Sequence, residues 1–391
     1  MKIIMGLKTS IQNGLNKMFQ KLGLIEEIPT PSAFTQSRKK LKPEFFKNAN
    51  RFSIDFFYNN YEVKRWKGLI LASIDCSTVD IPITEETKQI YNIQKDKNDN
   101  LVRVYGMCSC MYDVLNELPL SVELGRCLKE KDYIFNNHFP YYFEDQLSIF
   151  DRLYDDYSVI SYHINYGKDF LIRSKGYTSF KAVVDFINSE NVDEIIKVKV
   201  TTKQKDFVKK NNLPKEVSVR AVKVFLDSGE LEVLLTSLTD KDKYPSKDFE
   251  HLYHLRWGIE TYFDILKNKL DIERFSSTKM LFIEQDFYSL VFLSGMESIL
   301  SKESNRELEL ESKNKRYIYK VNKSVSYSAL MDKTVDILLS TDKSISEVIK
   351  ELQILFKTNP IPIRPNRHYE RKKGSPSNKL RYNKYRKKII T

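Results

Sequence analysis

The sequence predicts an α/β protein, a sheet layered with helices, carrying a β-rich insertion and closed by helical regions at both ends. Three observations predict it. Short apolar runs, each ending in a charged residue, recur at Gly68–Ile74, Leu147–Phe150 and Phe170–Ile172. Helical stretches separate the later ones, and strand–helix–strand alternation implies α/β layers. Beyond them, Val217–Leu226 and Leu231–Leu238 are β-rich runs joined by Asp227-Ser228-Gly229-Glu230, which reads as a hairpin.

The elements follow in order. Residues 1–60 are helical: Thr30 before Pro31 makes a cap and first turn, and Pro43 opens a second helix through Phe45 and Phe46. Ten basic side chains against four acidic ones suit this region to DNA binding. Residues 61–174 form the first part of the α/β core. Its first strand, after Trp66, ends at Asp75. Val102–Val114 and Leu118–Leu124 follow as strands turning near Asn116-Glu117, then a helix over Lys129–Phe143. The strand Leu147–Phe150 ends at Asp151, and the helix Asp156–Ile164 leads to a third buried strand ending at Arg173. Residues 175–245 are the β-rich insertion. After Pro245-Ser246 a long helix begins, with Asp248 and Glu250 in its first turn, where acids complement the helix dipole. Residues 246–300 complete the core, 301–356 are a helical C-terminal region, and 357–391 are a basic tail.

Composition narrows the function classes. Hydrophobic residues reach 41%, enough for a packed globular chain. The best apolar run, Leu281–Leu300, is broken by Glu284, Asp286 and Glu297, so it reads as a buried helix and not a membrane span. The N-terminus lacks a secretion pattern, and four cysteines make no disulfide framework, so the expected compartment is the cytoplasm. Net charge is +12, and the stretch from Lys357 onward, with twelve basic residues and one acid, supplies +11 of it. Such a tail binds polyanions, and the interleaved Tyr369, Tyr382 and Tyr385 favour nucleic acid, hence association with the nucleoid. No Walker-type loop supports ATP use, and five histidines offer little for a hydrolase triad. Cys108-x-Cys110 with Cys127 and His138 has unusual spacing for zinc and fits one face of a strand better.

The chemistry concentrates on one helix. With Tyr253 at zero on a wheel, Arg256, Glu260 and Lys267 fall at about 300°, 340° and 320°, a stripe about 21 Å long. Leu252, Leu255, Ile259, Tyr262, Phe263, Leu266 and Leu270 fill the neighbouring arc, so the stripe borders the buried face. Arg256 and Glu260 alone are an ordinary i,i+4 pair, worth a few tenths of a kcal/mol. Asp75 and Asp151, each following an apolar strand, change the reading, because sites form at strand ends in α/β sheets. Three carboxylates suit hard Mg²⁺ or Mn²⁺, and a pair of such ions serves phosphodiester chemistry. Arg256 and Lys267 would hold flanking phosphates.

Tyr253-x2-Arg256-x3-Glu260-x6-Lys267 resembles the signature of the IS4 family of DDE transposases, and "ASIDCST" around Asp75 and "SIFDRLY" around Asp151 resemble its two aspartate motifs. The resemblance spans about residues 60–300. It implies a ribonuclease-H-like mixed sheet flanked by helices, with Asp75, Asp151 and Glu260 as metal ligands. Tyr253, Arg256 and Lys267 would contact DNA near the scissile phosphate. It further implies cleavage at an insertion sequence's terminal inverted repeats, strand transfer into target DNA, and action as a homodimer in a synaptic complex. Two departures stand out. Leu153 occupies a position that is often Gly, and neither Trp66 nor Trp257 lies in the insertion, where hairpin-forming members carry a Trp; Phe225 is the candidate substitute. A non-catalytic DNA-binding regulator and a stand-alone ribonuclease-H-like nuclease are the alternative readings.

Overall fold

A computed structural model describes residues 10–126, 129–225, 229–339 and 344–364. Most of the expected basic tail, Cys127 and the hairpin residues Asp227-Ser228 lie outside the described residues.

Nine strands form one sheet: β1 (Ile70–Ile81), β2 (Asn92–Lys95), β3 (Leu101–Asp113), β4 (Leu118–Gly125), β5 (Gln146–Phe150), β6 (Asp169–Arg173), β7 (Asp193–Lys199), β8 (Glu216–Phe225) and β9 (Leu231–Thr236). Across the sheet the order is β4-β3-β1-β5-β6-β9-β8-β7, with β2 pairing the N-terminal half of β3 beside β4. β1 is antiparallel to β3 and parallel to β5, and β5 is parallel to β6. This mixed five-strand core is the ribonuclease-H-like arrangement. The β-rich segment continues the same sheet, because β9 pairs antiparallel with β6 from Leu171↔Thr236 to Arg173↔Leu234.

β1 runs past the expected end at Asp75 to Ile81. Its parallel partner gives out at Ser73↔Ile149, but β3 keeps pairing from Ala72↔Asp113 to Ile81↔Val104. The half-polar run Cys76–Ile81 therefore becomes strand through a long-range ladder, with no apolar run of its own. The expected helix over Lys129–Phe143 is broken into a turn at Glu130–Tyr133, a π turn at Ile134–His138 and a 3₁₀ turn at Phe139–Tyr141. Pro140 cannot supply a helical N–H there, and His138 is held between Ser109 Oγ (2.8 Å) and Ser121 Oγ (2.9 Å) of β3 and β4. Those bonds give His138 a structural place, while Cys108 and Cys110 are buried free thiols.

Helices cover both faces. Among them, α1 (Pro31–Arg38) is capped as expected, with Ala33 N–H donating to Thr30 Oγ1 at 3.2 Å. α2 (Glu44–Asn60) buries Phe46, Ile54 and Phe57 against the core. α3 (Tyr157–Asn165) packs Tyr157, Val159 and Ile160 on the face carrying Ala72, Ile74, Phe150 and Ile172. The opposite face, Leu71, Ile149, Leu171 and Leu234, lies under Phe249, Leu252 and Tyr253 of α4 (Phe249–His254). The expected long helix is not uniform: a 3₁₀ turn at Leu255–Trp257 separates α4 from α5 (Gly258–Asp264), and a π turn at Ile265–Lys269 follows. Gly258 lets α5 sit close to the sheet, since a Cβ there would come within 3.2 Å of Val114 Cγ1. α6 (Met280–Leu300) is buried along most of its length. Next come α7 (Lys302–Ser312), α8 (Lys323–Leu339) and α9 (Ile345–Lys357), with a two-strand pairing of Tyr319–Lys320 and Ile361–Pro362. Among the described residues no helix is long and apolar enough to cross a membrane.

Candidate active site

Strand parity decides which side the aspartates face. Alternate residues share a face, so Asp75 points with Leu71 toward α4 and α5, and Asp151 points with Ile149 to the same side. The β1–β5 ladder ends at Ser73↔Ile149, two residues before each aspartate, so Asp75 and Asp151 lie just beyond its end on the same side, near enough for the Asp151 charge to act on Asp75. Asp75 accepts the Cys76 N–H at 2.8 Å. Asp151 caps the turn after β5 by accepting the Leu153 N–H at 2.8 Å. Leu153 itself is exposed, so the side chain at this often-Gly position leaves the cap intact.

Burial, above all, pushes the Asp75 carboxyl up to about 7. The Cys76 N–H pulls against that rise, the like charge of Asp151 adds to it, Arg256 opposes it, and Glu130 adds a little more.

Arg256 is the most buried charge of the signature, 6% exposed. Its Nη2 donates to Glu260 Oε1 at 2.7 Å, and its Nη1 lies 3.6 Å from Asp75 Oδ2. The guanidinium carbon stands 5.0 Å from the Trp257 ring centre and 5.9 Å from that of Tyr253. Its Nε is buried and has no hydrogen-bond partner. Tyr253 is itself buried, which holds its hydroxyl above the usual phenol range. Lys267, on the π turn, donates from Nζ to Ser77 Oγ at 2.7 Å, two residues beyond Asp75 on the same face. His251 and His254 are exposed.

The structure thus brings Asp75, Arg256 and Glu260 together, sets Asp151 beside Asp75, and ties Lys267 to the same strand. It does not draw the three carboxylates into a closed ligand cage: among the described residues no three Asp, Glu, His or Cys side chains are grouped to hold an ion. Arg256 stands between two of the acids. The donors themselves are all carboxylate oxygens, which fit a hard divalent cation, and Asp75 is a half-buried carboxylate whose desolvation outweighs the pull of Arg256.

Sequence reasoning missed three charged neighbours. Continuing Phe150↔Ile172 by one residue places Arg173 beside Asp151, and Arg173 Nη2 is held 2.7 Å from Glu232 Oε1 on β9. Glu232 is buried, and burial raises its carboxyl despite Arg173. Glu130 is raised first by burial and then by Asp151. Arg173 carried a signal, a charge following an apolar run just as Asp75 and Asp151 do. The other two carried none.

The chain is similar to known proteins. The family described as Transposase DDE domain matches residues 66–294. The transposase InsG of insertion sequence element IS4, from Escherichia coli (strain K12), is 20% identical over 296 residues, covering 74% of this chain. The chain spans 66% of that relative's length. A solved piggyBac transposase synaptic complex with hairpin DNA aligns at a TM-score of 0.39 and 9% identity, over 77% of this chain and 60% of that one. With a family match over more than half its length, this chain belongs to the family described as Transposase DDE domain.

Proposed function

We propose that the chain cuts DNA at the ends of an insertion sequence and joins the cut 3′ ends to target DNA. The observation carrying this reading is the row formed by Asp75 and Asp151 on adjacent strands beneath Arg256 and Glu260. DDE domains in general use divalent metal ions. In this reading Asp75, Asp151 and Glu260 hold Mg²⁺, or Mn²⁺ in its place, as two ions. Such a pair activates a water or 3′-hydroxyl and stabilises the departing oxygen. The remaining work belongs to side chains. Arg256 grips a phosphate as a planar fork and Lys267 as a point charge, with the Tyr253 ring 5.9 Å from the Arg256 guanidinium carbon. The partner is double-stranded DNA, first the terminal inverted repeats and then the target, with a homodimer assembling the synaptic complex.

The experiment uses a labelled duplex carrying the element's terminal repeat, with Mg²⁺, and compares wild type with Asp75→Asn and Glu260→Gln. Nicking falls to background in both variants while binding to the duplex persists. Unimpaired nicking by either variant sinks the assignment.

A further inference from the structure

We infer that Arg256 is the built-in counter-ion of the metal-free site: its guanidinium occupies the space between Asp75 and Glu260 that a divalent cation takes, and it must withdraw before the carboxylates can close. The inference rests on the metal-dependent reading above.

Three observations carry it. The guanidinium touches both acids, through Nη2 to Glu260 at 2.7 Å and Nη1 to Asp75 at 3.6 Å. It is a permanent cation, since arginine does not deprotonate in proteins, and at 6% exposure little water screens it. A second cation between the same two acids therefore competes with it directly. Next, among the described residues the acids are not gathered to hold an ion. Glu260 accepts a hydrogen bond from the guanidinium and Asp75 faces it at ion-pair distance while accepting the Cys76 N–H, so the guanidinium charge already answers both acids where an ion would. Last, the bridging pose leaves the Arg256 Nε buried and unpaired. An arginine at rest in its final partnership satisfies its donors. Here one edge of the fork is unused, and a phosphate oxygen would complete it.

The 3₁₀ turn at Leu255–Trp257 carries Arg256 between two α-helical segments, a place where the backbone can rewind locally. A phosphate that draws Arg256 away frees Asp75 and Glu260, so DNA binding and metal binding reinforce one another through this side chain. A group that merely orients Glu260 would instead stay in place when the ion enters.

The two roles predict opposite signs for one measurement: Mn²⁺ affinity of the DNA-free protein, followed by electron paramagnetic resonance of the free ion. Arg256→Gln removes the competing charge, and its Mn²⁺ affinity rises about tenfold over wild type. Arg256→Lys keeps the packed stem and one charge but cannot bridge two acids. It guards against a glutamine variant that fails to fold, and its affinity rises in the same direction by less. Lys267→Gln is the control for charge in general, because its partner is Ser77 rather than an acid; its affinity changes less than threefold. Equal or weaker Mn²⁺ binding by the folded Arg256 variants overturns the inference and leaves the metal reading standing. An equal gain in Lys267→Gln overturns it too, as a generic charge effect. No Mn²⁺ binding by wild type or variants overturns the metal reading, and the inference with it.

Discussion

Lys267 Nζ donates a 2.7 Å hydrogen bond to Ser77 Oγ, so the last residue of the signature is tied to the strand that bears Asp75. Ser77 offers only a neutral hydroxyl, a weak hold on an ammonium that a phosphate would bind more strongly. Lys267→Ala should therefore slow nicking by about 10- to 100-fold, the loss of one charge-assisted contact of roughly 1.5–3 kcal/mol. Ser77→Ala should stay within about threefold of wild type, since it removes only the resting partner. Initial nicking rates on one duplex decide this. Equal defects would mean that Lys267 acts through β1 and not on DNA.

Glu232 restrains Arg173 beside Asp151, and their 2.7 Å contact joins β9 to β6. Glu232→Gln weakens that restraint, leaving Glu230 3.6 Å from Arg173 Nη2, and removes one negative charge from the site face. Duplex affinity at low salt should rise, and the slope of log affinity against log salt should steepen by about 0.9, the value for one more neutralised phosphate. Fluorescence anisotropy across a salt series measures it. An unchanged slope would leave Arg173 out of the DNA footprint.

Much of this site was legible because its signals are local. Asp75 and Asp151 follow runs whose apolar character marks buried strands, and the Tyr253–Lys267 stripe appears at helical spacing. The wheel placed Arg256 at the margin of the packed face; the structure makes it buried and bridging. No single-helix argument reaches that result, because it depends on where β1 lies beneath the helix. The 3₁₀ and π turns were hidden for a related reason, since apolar spacing over residues 249–270 suits any helical winding. The continuation of β1 past Asp75 and the Arg173–Glu232 pair depend on partners distant in sequence, where periodicity carries no information.

Arg38 fixes the N-terminal helices to the core. Its Nη2 pairs with Asp286 at 2.6 Å, its Nε donates to Gln285 Oε1 at 2.6 Å and its Nη1 to Ser276 Oγ at 2.7 Å, all at 6% exposure. Removing one partner of a buried ion pair strands the other, so Arg38→Ala should cost about 3–5 kcal/mol. The double variant Arg38→Met, Asp286→Leu removes both charges and should recover most of that loss. Denaturant midpoints test the pair. A double variant as unstable as the single one would locate the cost in lost packing of the arginine stem.

Acid should weaken the fold through two buried histidines. Burial depresses His138 from 6.5 to about 3, and His163, whose Nδ1 bonds the Val159 carbonyl at 2.7 Å, from 6.5 to about 4. Below about pH 6.5 the unfolded chain takes up these protons while the folded chain refuses them until pH 4 and below. Stability is therefore complete above pH 6.5 and declines as pH falls, by up to about 1.4 kcal/mol per pH unit for each imidazole. Asp75 opposes this between pH 7 and its unfolded value of 3.8, because its raised carboxyl takes up a proton first in the folded state. The two effects separate by mutation. His138→Asn keeps a polar side chain between Ser109 and Ser121 but cannot titrate, so its melting temperature should fall less than wild type's between pH 7 and pH 5, with the Asp75 contribution common to both. Parallel pH profiles would show that His138 does not resist protonation in the folded protein.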